Sequence, residues 1–270
     1  MARPKLIDAF PMNNELDMLE CRLTELQDAV DHFIIVEATR DHQDHRKPLW
    51  YAENKARFAP WADKIVHVIV DEGEMPSKQD DANPWAREHA QRAFIGRGLT
   101  AIDGLADTDI LMQSDIDEIP RALQARNVRP GGRILAFEQR LYSMAVDWLH
   151  PEMWHGTVAG QVGTVLRLQQ GRQFAYMRDM RMKADCPPQL RDAGWHLSWM
   201  GGSEAALAKL GSFCHPEIAE RTQTLLETNV FLTQGYHVDG QRMMPVDVDD
   251  TWPKWIVDGH APASWFRPRP

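Results

Sequence analysis

The chain has 270 residues, 43% apolar and 26% charged, the balance of an ordinary globular protein with one sizeable core. Its net charge of -9, from 30 basic and 39 acidic residues, argues against general nucleic-acid binding, which rewards clustered lysine and arginine. Cys21, Cys186 and Cys214 lie far apart with no CxxC pair, so their spacing supports neither a zinc knuckle nor a redox dithiol.

From the N-terminus, KLIDAF at 5–10 predicts a first strand, broken by Pro11 to Asn14. The segment Pro11-Met12-Asn13-Asn14-Glu15 is then a strand-to-helix loop of the kind that meets nucleotides, or simply a helix cap supplied by Asn13 or Asn14. Leu16, Leu19, Leu23, Leu26 and Val30 recur on one helical face. DHFIIVEAT is a continuous apolar run of strand type containing Glu37 near its end, so strand, helix and strand form a βαβ unit with a parallel sheet. The Glu37 carboxylate suits hydrogen bonds from a ribose or a base edge, or is an exposed strand-end acid.

The polar stretch 40–50, with His42 and His45 beside Asp41 and Asp44, reads as a solvated loop. KIVHVIV at 64–70 is a third strand, followed by a polar loop. PWAREHAQRAFIGRGL then reads as a helix with Pro84 in its first turn. On that helix Arg87 or Arg92 suits a phosphate; the plainer alternative is a surface pair between Glu88 and Arg92.

TDILMQ at 108–113 is a fourth strand and runs directly into Asp115-Ile116-Asp117-Glu118. Ligands in a parallel α/β sheet collect beyond the carboxyl ends of the strands. Two carboxylates one residue apart there can share Mg²⁺ or Mn²⁺, and the ion can hold a departing diphosphate. The competing reading is a solvated acidic turn. Further strands are expected at 133–144 and 162–168. GWHLSW at 194–199 brings His196 between Trp195 and Trp199, as a third metal ligand with an aromatic sugar platform or as a core histidine. Helices are expected at 203–210 and 215–229, and an irregular tail from about 245. His150, His155, His215, His237 and His260 have no informative spacing. No signal-peptide core and no membrane-length apolar run is present. A cytoplasmic protein, at most peripheral to a membrane, is expected.

Taken together, NNELDMLECRLTEL, VDHFIIVEA with RKPL downstream, REHAQR, DILMQSDIDEIP, AFEQRLYSM, AGWHLSW and PKWIV resemble glycosyltransferase family 17. They run in family order over nearly the whole chain. The resemblance implies a single α/β domain over 1–270 with a GT-A-like nucleotide-sugar-binding fold and a mostly parallel central sheet flanked by helices. It implies inverting transfer of a sugar, N-acetylglucosamine, from a UDP-sugar to a glycan or glycoside hydroxyl with Mn²⁺ or Mg²⁺. Asp115, Asp117 and His196 would hold the metal; Asn13, Asn14, Glu15, Glu37, Arg87, Arg92, Asp115 and Trp195 would surround the donor. Asp117 and Glu118 would be the catalytic acids, with Glu118 the base or a support for the metal. The stretch 145–190 matches nothing in the family and is where acceptor choice is expected. A metal-dependent nucleotidyl- or phosphotransferase, and a non-catalytic glycan-binding module suggested by ten tryptophans, are the alternatives.

Overall fold

The first βαβ unit forms as its hydrophobic pattern requires: β1 (Leu6–Met12), α1 (Leu16–Leu26) and β2 (His32–Ala38), with β1 and β2 parallel. The computed structural model describes residues 3–168, 172–182, 187–212, 222–223 and 230–268. The short helix α2 (Trp50–Glu53) and a 3₁₀ segment lead into β3 (Ile65–Val70). Helices α3 (Pro84–Ala93) and α4 (Ile95–Thr100) precede β4 (Ile110–Gln113). These four strands are parallel in the order β3-β2-β1-β4.

Both faces of this half are covered, which is why its strands are continuous apolar runs rather than alternating ones. Phe10, Phe33 and Ile35 pack with Leu19, Leu23 and Leu26 of α1 on one face. Ile7, Ala9, Ile34 and Val36 pack with Ile95 and Leu99 of α4 on the other. Full burial of each large apolar side chain is worth about 1.5–3 kcal/mol, so this layer is the stable platform for the site.

The second half departs from the mostly parallel sheet expected. After β5 (Glu118–Pro120) and α5 (Ala122–Asn127), the strands β6 (Ile134–Ser143) and β7 (Trp148–Gln161) form a long antiparallel pair, and β7 also joins β4 antiparallel. Beyond them come α6 (Val162–Leu166), α7 (Gln173–Asp179), β8 (Gln189–Leu190), β9 (Gly194–Ser198) and α8 (Gly202–Ser212). β9 is parallel to β6 and antiparallel to β5, so the sheet is mixed. The strand expected at 162–168 is the helix α6; Val162, Val165 and Leu166 stand at helical spacing. β7 itself was hidden because Pro151, Gly156 and Gly160 interrupt any apolar run. Gly156 is needed there: a Cβ on it would fall 1.8 Å from Gln139 Oε1.

The tail is not merely irregular. After α9 (Val230–Gln234), β10 (Met244–Pro245) pairs with the start of β7, and α10 (Lys254–Val257) packs against α1. Trp252, Trp255 and Trp265 are buried in the main core. The helix expected at 215–229 lies outside the described residues apart from 222–223, as do Cys186 and Cys214; Cys21 is a buried free thiol. Among the described residues no helix is long and apolar enough to cross a membrane.

Candidate active site

The loop after β4 is shaped by a residue that the sequence pattern did not single out. Arg22 of α1 is fully buried. It donates to both carboxylate oxygens of Asp8 on β1, at 2.7 and 2.6 Å, and to Ser114 Oγ at 2.6 Å. Its remaining donor meets the carbonyls of Asp115, Ile116 and Glu118 at 3.0, 3.1 and 2.9 Å. A planar guanidinium with five donors is suited to gathering several oxygens at once, so Arg22 holds the whole Asp115–Glu118 turn from beneath.

Glu118 closes the same turn. Its Oε2 accepts the Asp115 N–H at 2.8 Å. Its Oε1 accepts from Trp154 Nε1 and from Arg178, both at 2.6 Å. The side chain is wholly buried, so no face of the carboxylate is open to an acceptor hydroxyl. The expected role as general base is corrected accordingly: Glu118 is a positioning residue that ties the loop to β7 and α7.

The two aspartates of the motif face different partners. Asp115 keeps 43% of its side chain exposed while Arg92 and Arg178 hold its two oxygens at 2.7 and 2.8 Å. Burial by itself raises this carboxyl, but Arg178 and Arg92 outweigh it and hold it well below the usual carboxylate range. Asp117 is nearly closed, with 8% of its side chain exposed; Lys209 Nζ of α8 lies 2.9 Å from Oδ2, and His196 Nε2 lies 3.6 Å from Oδ1. Its carboxyl is likewise held low by Lys209 and His196 against the opposing effect of burial. Reciprocally, Asp117 and Glu15 overcome the burial of the Lys209 ammonium, pushing it up to about 12.

The other expected residues divide. Asn13 hydrogen-bonds Ser212 of α8 through its amide at 3.2 Å, and its N–H reaches the half-buried Glu15 at 2.9 Å. Asn14 is exposed. Neither asparagine caps α1 through its side chain; Glu15 occupies the cap position without a side-chain cap bond. Arg92 reaches the site, but its pair with Glu88 is buried rather than superficial. Arg87 is buried elsewhere, donating to the carbonyls of His42 and Asp81 at 2.6 and 2.8 Å. Glu37 is fully buried and accepts from the Tyr51 and Ala52 N–H groups and from His67. It therefore caps α2 and pins β3 instead of facing a ribose. Trp195 is buried under the Arg121 guanidinium, 4.3 Å from its ring, on the face opposite His196 as strand alternation demands.

The aromatic ring beside His196 is instead Trp154 of β7, with ring centroids 4.8 Å apart. Trp154, Arg178 and Lys209 carry no local sequence signal: the first two lie in the stretch without family match, and all three reach the site only through tertiary packing.

The divalent ion expected at Asp115, Asp117 and His196 does not fit this arrangement. Both Asp115 oxygens and one of Asp117 already face cationic side chains, and among the described residues no third ligand atom joins Asp117 and His196. Among the described residues the group of three whose ligand atoms lie close enough to share an ion, all within 4.8 Å of one another, is His150, His237 and Asp239.

Comparison with known proteins follows the same line. A family model described as glycosyltransferase family 17 matches residues 1–246. The human β-1,4-mannosyl-glycoprotein 4-β-N-acetylglucosaminyltransferase is 26% identical over an alignment of 232 residues, covering 77% of this chain and 43% of its own length. The rat protein of that name is likewise 26% identical, with 42% of its length covered. This chain therefore spans less than half the length of the curated relatives it matches. Among solved structures, glucosyl-3-phosphoglycerate synthase from Mycobacterium tuberculosis with Mn²⁺, UDP and glucosyl-3-phosphoglycerate is similar at a TM-score of 0.42 and 16% identity, over 94% of this chain and 92% of the other. Mouse xyloside xylosyltransferase 1 is similar at a TM-score of 0.31 and 8% identity, over 69% and 78%. Likenesses this distant carry no argument about the site.

Proposed function

This chain belongs to glycosyltransferase family 17, and on that premise we propose that it transfers a sugar, N-acetylglucosamine, from a UDP-activated donor to a hydroxyl of a glycan or glycoside. The observation that carries the reading is the Asp115–Asp117 pair at the carboxyl end of a parallel strand. Asp115 there is half open to solvent and kept ionised by two arginines.

In this reading the exposed Asp115 carboxylate accepts hydrogen bonds from hydroxyls of the donor. Lys209, beside Asp117 and 27% exposed, supplies positive charge to the departing diphosphate, a form of preorganised electrostatic stabilisation. The acceptor hydroxyl attacks the anomeric carbon from the face opposite the nucleotide as the bond to UDP breaks, which inverts that carbon, and its proton passes to solvent or to the released UDP. Arg22 and Glu118 act by holding the loop, and Trp154 offers an aromatic edge beside His196 for a sugar ring.

The glycan-binding alternative loses its main support, because Trp195, Trp199, Trp252, Trp255 and Trp265 are core residues. The nucleotidyltransferase alternative is separated by products. Incubation with a panel of nucleotide sugars and glycoside acceptors should release UDP and yield an acceptor one sugar heavier by mass. Pyrophosphate release, or sugar binding without turnover on any donor, would remove the proposal.

A further inference from the structure

The hairpin at 236–242 brings His237 and Asp239 beside His150 near the start of β7. It is closed by a Tyr236–Arg242 bridge and by the His237 N–H, which donates to the Gln241 carbonyl at 2.9 Å. His150 Nε2 lies 3.2 Å from Asp239 Oδ2, and His237 Nδ1 lies 3.0 Å from Asp239 Oδ1. The two imidazole rings meet edge to face with centroids 4.8 Å apart.

We propose that His150, His237 and Asp239 form a site for a divalent transition metal, with zinc the ion best matched to two imidazoles and one carboxylate. Bonds of about 2.0–2.2 Å in a tetrahedral site leave neighbouring ligand atoms roughly 3.4 Å apart. The 3.0 and 3.2 Å separations run to the two different oxygens of Asp239, and one ligand atom from each residue lies within 4.8 Å of the others, so side-chain rotation must draw the three together to complete the site. The backbone is fixed from both sides independently of any ion. Gln241 Nε2 bonds Glu152 Oε1 at 3.1 Å, Met244 and Pro245 pair with Leu149 and Trp148, and Gly235 packs against the Trp148 ring so closely that a Cβ would lie 2.7 Å from it. The ligands are thus presented by a preformed clamp. His150 is buried while Asp239 is 42% exposed, which gives the ion an entry path and leaves a fourth position for water.

The site shares no residue with the aspartate pair. His150 precedes Trp154 by four residues on β7, roughly 13 Å along an extended strand. The ion would tie the 236–242 hairpin to the first residues of β7. Two contacts must change on binding, and in one of them the Asp239 N–H gives up its 3.5 Å approach to His237 Nδ1. The Glu152 N–H donates to His150 Nδ1 at 3.1 Å, which places the imidazole proton on Nε2. Coordination through Nε2 moves the proton to Nδ1, so the Glu152 amide must turn away.

The inference stands whether or not glycosyl transfer is observed, because its test reads bound metal. The chain without an affinity tag is dialysed against Zn²⁺ and the bound zinc measured by elemental analysis. One zinc per chain is expected, with a rise in Tm that chelator reverses and a shifted Glu152 amide resonance in the zinc form. Co²⁺ loading should give the visible absorption of a four-coordinate site. Asp239→Asn and His237→Gln, both at partly exposed positions, should lose the zinc while keeping the metal-free Tm. No bound zinc in the original chain, or equal zinc in both variants, would overturn the site.

Discussion

Asp115 and Asp117 are one residue apart in sequence and belong to different parts of the molecule. Asp115 is partly open to solvent and is clamped by guanidiniums from α3 and α7. Asp117 points the other way, is nearly closed, and meets an amine from α8 and an imidazole from β9. Asp115 and Asp117 stand in a loop with a turn at Ile116–Asp117, not in an extended strand, where residues two apart would share a face, so a D-x-D motif need not be a single chelating unit. Here one acid faces the ligand space, and the other joins the loop to the C-terminal half of the chain.

The most damaging change should be the one that removes the common support beneath both acids. Arg22→Met leaves Asp8 charged and unpartnered in the core and frees three loop carbonyls. A loss of about 3–5 kcal/mol is expected, read by urea denaturation, with recovery of much of it in the Asp8→Asn/Arg22→Met double variant. A loss below about 1 kcal/mol would mean that the loop is held by something else.

The difference between the two acids is sharpened by deleting their cations in turn. Arg178→Met strips Glu118 of its ion-pair partner in a fully buried setting and should cost about 3 kcal/mol or more. Lys209→Met should cost only about 1–2 kcal/mol, because His196 stays beside Asp117, yet it should lower donor turnover. Equal stability losses would erase the distinction.

Glu118→Gln breaks the same network from the acid side. Glutamine offers one acceptor oxygen where three donors now converge, so about 2–3 kcal/mol of stability should go. Turnover should fall through disorder of the Asp115 loop, and excess Mn²⁺ should not restore it. A variant of unchanged Tm and unchanged donor binding that still loses turnover would restore Glu118 as the base.

The smallest effect is in pH dependence. Asp115 and Asp117 have folded-state pKa values below their unfolded ones. The stability they provide is complete above the unfolded value, near 3.9, and is lost as pH falls below it toward the folded values. Lys209 behaves oppositely: its contribution is present below its unfolded pKa, near 10.4, and fades as pH rises through about 12. The Tm of Asp117→Asn should therefore fall less steeply than that of the original chain below about pH 4. Parallel acid limbs would show that Asp117 is not held ionised by Lys209 and His196.

The parallel half of the sheet and the strand-end position of Asp115–Glu118 were legible in the sequence. Each follows from local pattern: apolar runs of strand length, a 3.6-residue stripe on α1, and acids directly after a buried strand. β7 was not legible, because Gly156 and Gly160 serve close packing against other strands and leave no periodic signal. Nor did spacing disclose that Glu118 would be sealed by Trp154 and Arg178, or that His150 and His237, 87 residues apart in the chain, would share Asp239. The amino-acid pattern by itself determined which segments bury both faces and where a carboxylate loop must emerge, since those depend on neighbours along the chain. The partners of each charge were decided only by the tertiary structure. A buried ion takes its counterion from whatever element packs against it, and sheet order, not sequence distance, settles which element that is.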